Sequence, residues 1–272
     1  MRKLFISLSL PKTGTTYLGA LLSQMRSCEL PIIKEPNFFF TNEESNCSLM
    51  QSILSQGNYS RGRDWYDNLF PSNQNICGLD MSTQYWLHVD EMFQRTSKRN
   101  VTFLTIKRDP LAQLVSYISH LRRGHIQDVS LRHLVESHAE FEDYLNEMKH
   151  WNDKYDRIRA HHLDLEFIEV SFEELVTNPH STIVSILGKD DKQGKINTKV
   201  EKNKKSYPVF PALNKLLFSQ FIRKFGRMMP GKIYSSAVAF RKAVVKSNLK
   251  IGQGRFHEED SQFIRECFFN ED

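Results

Sequence analysis

The chain has 272 residues, 40% hydrophobic and 25% charged, with 19 Phe; this composition excludes a disordered or fibrous chain, and the length suits one α/β domain with ample core. Its net charge of +5 is modest, and without zinc-finger spacing, an aromatic RNA-binding signature or a long basic stripe it gives nucleic-acid binding no support. Cys28, Cys47, Cys77 and Cys267 show no Cys-x-x-Cys pairing, so they read as reduced thiols and indicate neither a zinc site nor a disulfide scaffold.

Arg2 and Lys3 precede an apolar stretch, but it ends at Pro11 after seven residues, lacks a cleavage signature and is needed as the first strand, which rejects a signal peptide. No apolar run approaches the roughly 18 to 20 residues of a membrane helix. The expectation is a soluble, cytoplasmic protein with no membrane span, in which the sequons at Asn46, Asn58 and Asn100 are chance matches.

In chain order, Leu4 to Leu10 predicts a strand that runs into the knot Pro11-Lys12-Thr13-Gly14-Thr15-Thr16 and then into a helix. A helix start leaves N–H groups without partners and carries partial positive charge. Gly14 permits close backbone approach, Lys12 adds a full charge, and the hydroxyls of Thr13, Thr15 and Thr16 add donors, which together make phosphate-binding chemistry. The knot fits neither Gly-x-x-x-x-Gly-Lys-Ser/Thr nor Gly-x-Gly-x-x-Gly; the bland alternative is a strand-to-helix turn with a Thr cap.

Further strands are expected at Pro31 to Glu35, Ile76 to Asp80, Val101 to Lys107 and Glu166 to Val170, alternating with helical patterns. That order predicts a central parallel sheet flanked by helices on both faces, a P-loop-like nucleotide-binding architecture spanning residues 1–272 as one domain. Thr41 to Glu44 reads as a capping box, and Asp109-Pro110 as a cap with a first-turn proline. Leu111, Leu114, Val115, Ile118 and Leu121 form one apolar stripe that leaves Ser116 and Arg123 on another face. Residues 188–210 read as a long loop, functional or mobile, and within it seven lysines face three acids between Lys189 and Lys205, which suits a solvated loop or an anionic ligand. Helices are expected at Pro211 to Arg227 and His257 to Phe269.

Ligands of open parallel sheets bind at the carboxyl ends of the strands. Four polar clusters should therefore meet there: Lys12 to Thr16, Lys34 with Glu35, Asp80 to Ser82, and Lys107 to Asp109.

Two segments together carry a family resemblance. "LPKTGTTYL" resembles the 5′-phosphosulfate loop, and "IKRDPLAQLVSY" the 3′-phosphate motif, of sulfotransferases that use 3′-phosphoadenosine 5′-phosphosulfate (PAPS); they lie roughly 90 residues apart, each after an apolar strand. By this resemblance Pro11 to Thr16 bind the donor, and Arg108 and Ser116, eight residues on, hold its 3′-phosphate. "IIKEPNFFF" resembles the Lys-Glu-x-x-Phe-Phe stretch of the carbohydrate sulfotransferases, which makes Glu35 the base and Lys34 an acceptor-side residue. "VEKNKKSYPVFPALNKL" resembles the late basic loop that closes over the nucleotide, with Lys204 and Lys205 as phosphate contacts or as a solvated loop, and Asn203 beside them. The resemblance covers about residues 3–225 and departs from the glycosaminoglycan 3-O-type pattern at "GLDMSTQYW", where a Lys near Met81 is missing.

The implied reaction is in-line transfer of a sulfuryl group from PAPS to a hydroxyl, most suitably of a glycan, releasing 3′-phosphoadenosine 5′-phosphate (PAP). Lys12 would stabilise charge developing on the 5′-phosphate and Glu35 would take the hydroxyl proton; no metal is needed. The alternative for Glu35 is a carboxylate paired with Lys34. Asp80, Ser82 and Tyr85 are acceptor-side candidates by position. Three other readings remain: a small-molecule sulfotransferase with a histidine base, for which His88, His120 and His125 are placed; a non-catalytic nucleotide or glycan-binding module; and a phosphotransferase with a degenerate loop.

Overall fold

The computed structural model describes residues 3–41, 45–70, 76–96, 100–122, 126, 129–188, 206–208, 249–251 and 258–269. The chain comprises two compact units, each built of discontinuous segments: Met1–Glu43, Gln56–Asp109 and His150–Val200 in the first, Glu44–Ser55, Pro110–Lys149 and Glu201–Asp272 in the second.

The first unit holds a five-stranded sheet of β1 (Leu4–Ser7), β2 (Cys28–Glu29), β3 (Cys77–Asp80), β4 (Val101–Lys107) and β5 (Glu166–Ser171), in the order β2-β3-β1-β4-β5. Every pairing is parallel, with Phe5 opposite both Leu79 and Thr102, and Phe103 opposite Phe167. Val101 to Ile106 are all buried, as expected of a strand covered on both faces. The predicted strand Pro31–Glu35 is not one: the chain leaves the sheet after Glu29 and bends at 32–34, because Pro31 offers no N–H to a ladder and Pro36 follows soon after.

On one sheet face Phe5, Leu79, Leu104, Ile106 and Val170 pack against Leu18, Leu21 and Leu22 of α1 (Thr15–Leu22) and, further along the chain, against Leu175 and Ile183. The other face is aromatic. Phe103 lies 5.4 Å from Phe167 and 5.1 Å from Phe93, and Tyr155 closes on Phe167 at 6.2 Å between ring centroids.

In the second unit α2 (Ser48–Ile53), α5 (Pro110–Leu121), α6 (Leu131–Ser137), α7 (Ala139–Lys149) and α11 (Glu258–Phe268) form a helical cluster; α3 (Arg63–Asp67), α4 (Val89–Arg95), α8 (Trp151–His161), α9 (Phe172–Thr177) and α10 (Pro179–Leu187) belong to the first. Helix α5 buries Gln113, Leu114, Tyr117, Ile118 and Leu121, so the buried stripe is rotated from the expected one: Leu111 and Val115 are only half-buried, while the Tyr117 hydroxyl meets that of Tyr144 at 3.0 Å. Part of the predicted 188–210 loop is a strand, β6 (Ser206–Pro208), antiparallel to β7 (Leu249–Ile251). Residues 189–205, the predicted helix 211–227 and residues 42–44 of the capping box lie outside the described residues.

Candidate functional site

The carboxyl end of β1 is the switch point of this sheet, because the connections lead first to β2 and β3 on one side and then across to β4 on the other, and such crevices take ligands. The chain leaving β1 stays beside β4 through Ser9: Leu8 N–H donates to Leu104 O at 2.8 Å, and Ser9 Oγ accepts the Ile106 N–H at 2.9 Å. It then turns sharply. Lys12 and Gly14 adopt positive φ of 70° and 105°, and the Thr13 hydroxyl donates to Leu10 O at 2.8 Å.

Gly14 is the N-cap of α1 and makes no side-chain cap bond, so the strand-to-helix turn with a Thr cap is not what forms. Its carbonyl accepts from Tyr17 and Leu18 N–H, both at 2.9 Å, which places the N–H groups of Thr15 and Thr16 in the first turn, where donors have no acceptor within the helix. Thr13 and Thr15 are buried and Thr16 is exposed. The Thr13 hydroxyl therefore shapes the loop, and its place in any anion site is through its backbone. Gly14 is fixed for two reasons: its φ is positive, and a Cβ there would meet the Phe172 ring at 3.0 Å.

Arg108, just past β4, joins this loop. Its Nη1 donates to Lys12 O at 2.7 Å, and its guanidinium lies 4.4 Å from the centroid of the Phe172 ring. One aromatic ring thus backs both the glycine and the arginine. Burial lowers the Arg108 pKa from the usual arginine value, opposed by Glu173 and Asp109. Ser116 lies half-buried on α5 in the second unit, while Arg108 belongs to the first.

The segment after β2 carries Glu35. Lys34 Nζ stands 3.4 Å from Glu35 Oε1, and the Thr83 hydroxyl donates to Glu35 Oε2 at 3.3 Å. Phe38, Phe39 and Phe40 are buried, Phe38 stacking on Tyr66 at 4.4 Å. Asp80, Ser82 and Tyr85 are fully buried and bond one another rather than facing outward. The Asp80 carboxylate accepts from Tyr66 Oη at 3.0 Å, Tyr85 Oη at 2.7 Å, Ser82 Oγ at 2.7 Å and Ser82 N–H at 3.2 Å. Burial nevertheless holds the Asp80 pKa above the ordinary aspartate value, outweighing these bonds. Met81, near which the 3-O-type pattern expects a Lys, is buried in the core with its Cγ 3.0 Å from where a Gly19 Cβ would stand.

Among the histidines, His88 is buried and lies flat on Phe40, centroids 3.9 Å apart and planes at 7°, which is packing. His120 is exposed on α5, and His125, Asn203, Lys204 and Lys205 lie outside the described residues. Among the described residues no cluster of three or more His, Cys, Asp or Glu could hold a metal, and no helix is long and apolar enough to cross a membrane. An open depression lined by Asp156, Arg159, His162, Leu163 and Phe167 sits at the amino end of β5, the opposite sheet edge. Sequence reasoning missed Phe172 and Asn58. Asn58 reads as a sequon, yet it is buried and its Nδ2 donates to Pro36 O at 2.7 Å.

The family model described as a sulfotransferase domain matches residues 2–224. Among solved structures, a sulfotransferase from Alicyclobacillus acidocaldarius is similar at 19% identity and a TM-score of 0.56, over 90% of this chain and 96% of that one, a likeness of fold. A sulfotransferase domain from the curacin biosynthetic pathway is similar at 13% identity and a TM-score of 0.41, over 72% of this chain and 81% of that one. No curated protein matches the chain.

Proposed function

Because the chain belongs to the sulfotransferase-domain family, and is therefore an enzyme of sulfuryl transfer, we propose that it moves a sulfuryl group from PAPS to a hydroxyl of a glycan. The observation that carries the donor assignment is the Arg108 Nη1 bond to Lys12 O at 2.7 Å, which ties the two donor motifs together at the switch point. PAPS supplies the activated sulfuryl group and a phosphate leaving group. Lys12 and the first-turn N–H groups of Thr15 and Thr16 lie where an anion suits a helix start, and they stabilise the charge that grows on the 5′-phosphate as the bridging S–O bond breaks. Arg108 with Ser116, and Lys204 with Lys205, are the proposed 3′-phosphate and closing contacts.

Glu35 is the proposed base: the acceptor oxygen bonds to sulfur while its proton passes to the carboxylate. The glycan class rests on the Lys34-Glu35-x-x-Phe-Phe stretch, and the packing of His88 on Phe40 argues against His88 itself as the base. A cytoplasmic setting is part of the same proposal and rests on the cysteine spacing, which shows no Cys-x-x-Cys pairing and reads as reduced thiols.

Calorimetric titration with PAP tests the donor site, with ATP and the nucleotide lacking the 3′-phosphate as controls. Tight binding should need the 3′-phosphate, and Arg108→Ala should weaken it by about 10- to 100-fold, the loss of a charge-assisted bond. ATP binding as tightly would overturn the assignment in favour of phosphotransfer. Lys12→Ala and Glu35→Gln should both cut turnover with radiolabelled PAPS and desulfated heparin by about 100-fold or more to a measurable residual rate, with PAP affinity largely surviving only in Glu35→Gln.

A further inference from the structure

The segment that carries Glu35 is gripped on both sides. On one side two backbone N–H groups are tied to the two oxygens of a single buried carboxylate, each through one hydroxyl. Asn37 N–H donates to Ser82 Oγ at 3.0 Å, and that hydroxyl donates to Asp80 Oδ1 at 2.7 Å. Phe38 N–H donates to Tyr85 Oη at 2.9 Å, and that hydroxyl donates to Asp80 Oδ2 at 2.7 Å. On the other side Asn58 takes both carbonyls: its Nδ2 donates to Pro36 O at 2.7 Å and its N–H to Asn37 O at 2.8 Å. Asn37 sits at a φ of 49°, a left-handed turn that asparagine adopts more readily than other non-glycine residues, and these bonds hold it on both sides.

We infer that Asp80 is a positioning residue for Glu35, acting through Ser82 and Tyr85 to fix the turn at Asn37 and so aim the carboxylate two residues earlier. Thr83, between the two hydroxyl residues, extends the grip to the Glu35 side chain itself. Hydroxyls that accept from a peptide N–H while donating to a carboxylate form polarised chains, stronger than isolated bonds. Such a frame suits a residue that must meet a reacting hydroxyl, since a displacement near 1 Å costs on the order of 100-fold in rate. Asp80 is fully buried and its four acceptor sites are all taken within the protein, so it acts through these partners. This inference rests on Glu35 as base.

The test contrasts two tyrosines that donate to the same Asp80 oxygen. Tyr85 also holds Phe38 N–H, whereas Tyr66 holds no backbone group of the Glu35 segment in these contacts. With radiolabelled PAPS and desulfated heparin, Tyr85→Phe and Asp80→Asn should lower kcat by about 10- to 100-fold at unchanged PAP affinity, while Tyr66→Phe should cost stability without that drop. In a Glu35→Gln background, Asp80→Asn should add no further loss, as for groups acting as a unit. Amide hydrogen exchange should show Asn37 and Phe38 protected in the wild type and in Tyr66→Phe, and Phe38 released in Tyr85→Phe. Equal kcat losses in both tyrosine variants, an additive Asp80→Asn effect, or unprotected amides in the wild type would each overturn the inference. Full turnover in Glu35→Gln would instead sink the base assignment, and the exchange measurement would still decide whether the clamp exists.

Discussion

Gly14 shows how one residue answers two constraints at once. Its φ of 105° lies where L side chains are strained, and a Cβ would press on Phe172, whose ring also supports the Arg108 guanidinium. Gly14→Ala should therefore cost about 1 to 3 kcal/mol from the backbone alone, and displacing the ring should also loosen Arg108, so PAP affinity falls with stability. Thermal melts with and without PAP check this; a variant that melts lower but binds PAP as tightly would uncouple the glycine from the arginine. Lys12, Gly14 and Arg108 are legible in the sequence because each sits in a short motif at a strand end. Phe172 is not, since its role depends on which face of the sheet it packs over, and Asn58 is not, since an asparagine that satisfies two carbonyls looks in sequence like one awaiting a glycan.

At the scale of elements, β4 is legible residue for residue because a run of β-branched, aromatic and aliphatic residues, Val101 to Ile106, fits the doubly covered middle of a parallel sheet, where even Thr102 and Thr105 are buried. Strand β2 is misread because Ile32 and Ile33 beside Pro31 look like a strand to a hydropathy pattern, although proline cannot join the ladder. At the end of β3, Asp80, Ser82 and Tyr85 read in sequence as groups facing a ligand; in the structure they are buried and bond one another, Tyr66 and the Glu35 segment. That burial has a pH signature. Burial raises the folded pKa of Asp80, so its contribution to stability is fully present below the unfolded carboxyl pKa of about 3.9 and is lost as pH rises through the raised folded value. The groups facing it are the hydroxyls of Tyr66, Tyr85 and Ser82. Measured against Asp80→Asn by scanning calorimetry from acid to neutral pH, the wild type should lose relative stability across that window and run parallel above it. A relative stability that grows with pH would mean that the four hydrogen bonds outweigh desolvation.

For the whole molecule, the family match ends at residue 224, yet the second unit draws on chain beyond it. Helix α11 is bound to the end of α5 by a two-pronged pair, Arg122 Nε to Asp260 Oδ2 at 2.7 Å and Arg122 Nη2 to Asp260 Oδ1 at 2.6 Å. The side chains are only 9% and 5% exposed, and Arg122 Nη1 is spent on Val129 O at 2.8 Å. Removing one partner of such a pair leaves the other charge buried and uncompensated, which costs about 3 to 5 kcal/mol. Asp260→Ala should lower the denaturant midpoint accordingly, and a chain ended at residue 224 should suffer at least as much, since it loses Asp260 together with the apolar Phe263, Ile264 and Phe268, which are buried in the intact unit. The double change Arg122→Met with Asp260→Leu should recover most of the loss, because apolar groups of similar volume replace a buried ion pair at little cost. If Asp260→Ala alone shifts stability by less than about 1 kcal/mol, as an exposed pair would, then α11 is held by its apolar face and the arginine finds water when its partner is gone.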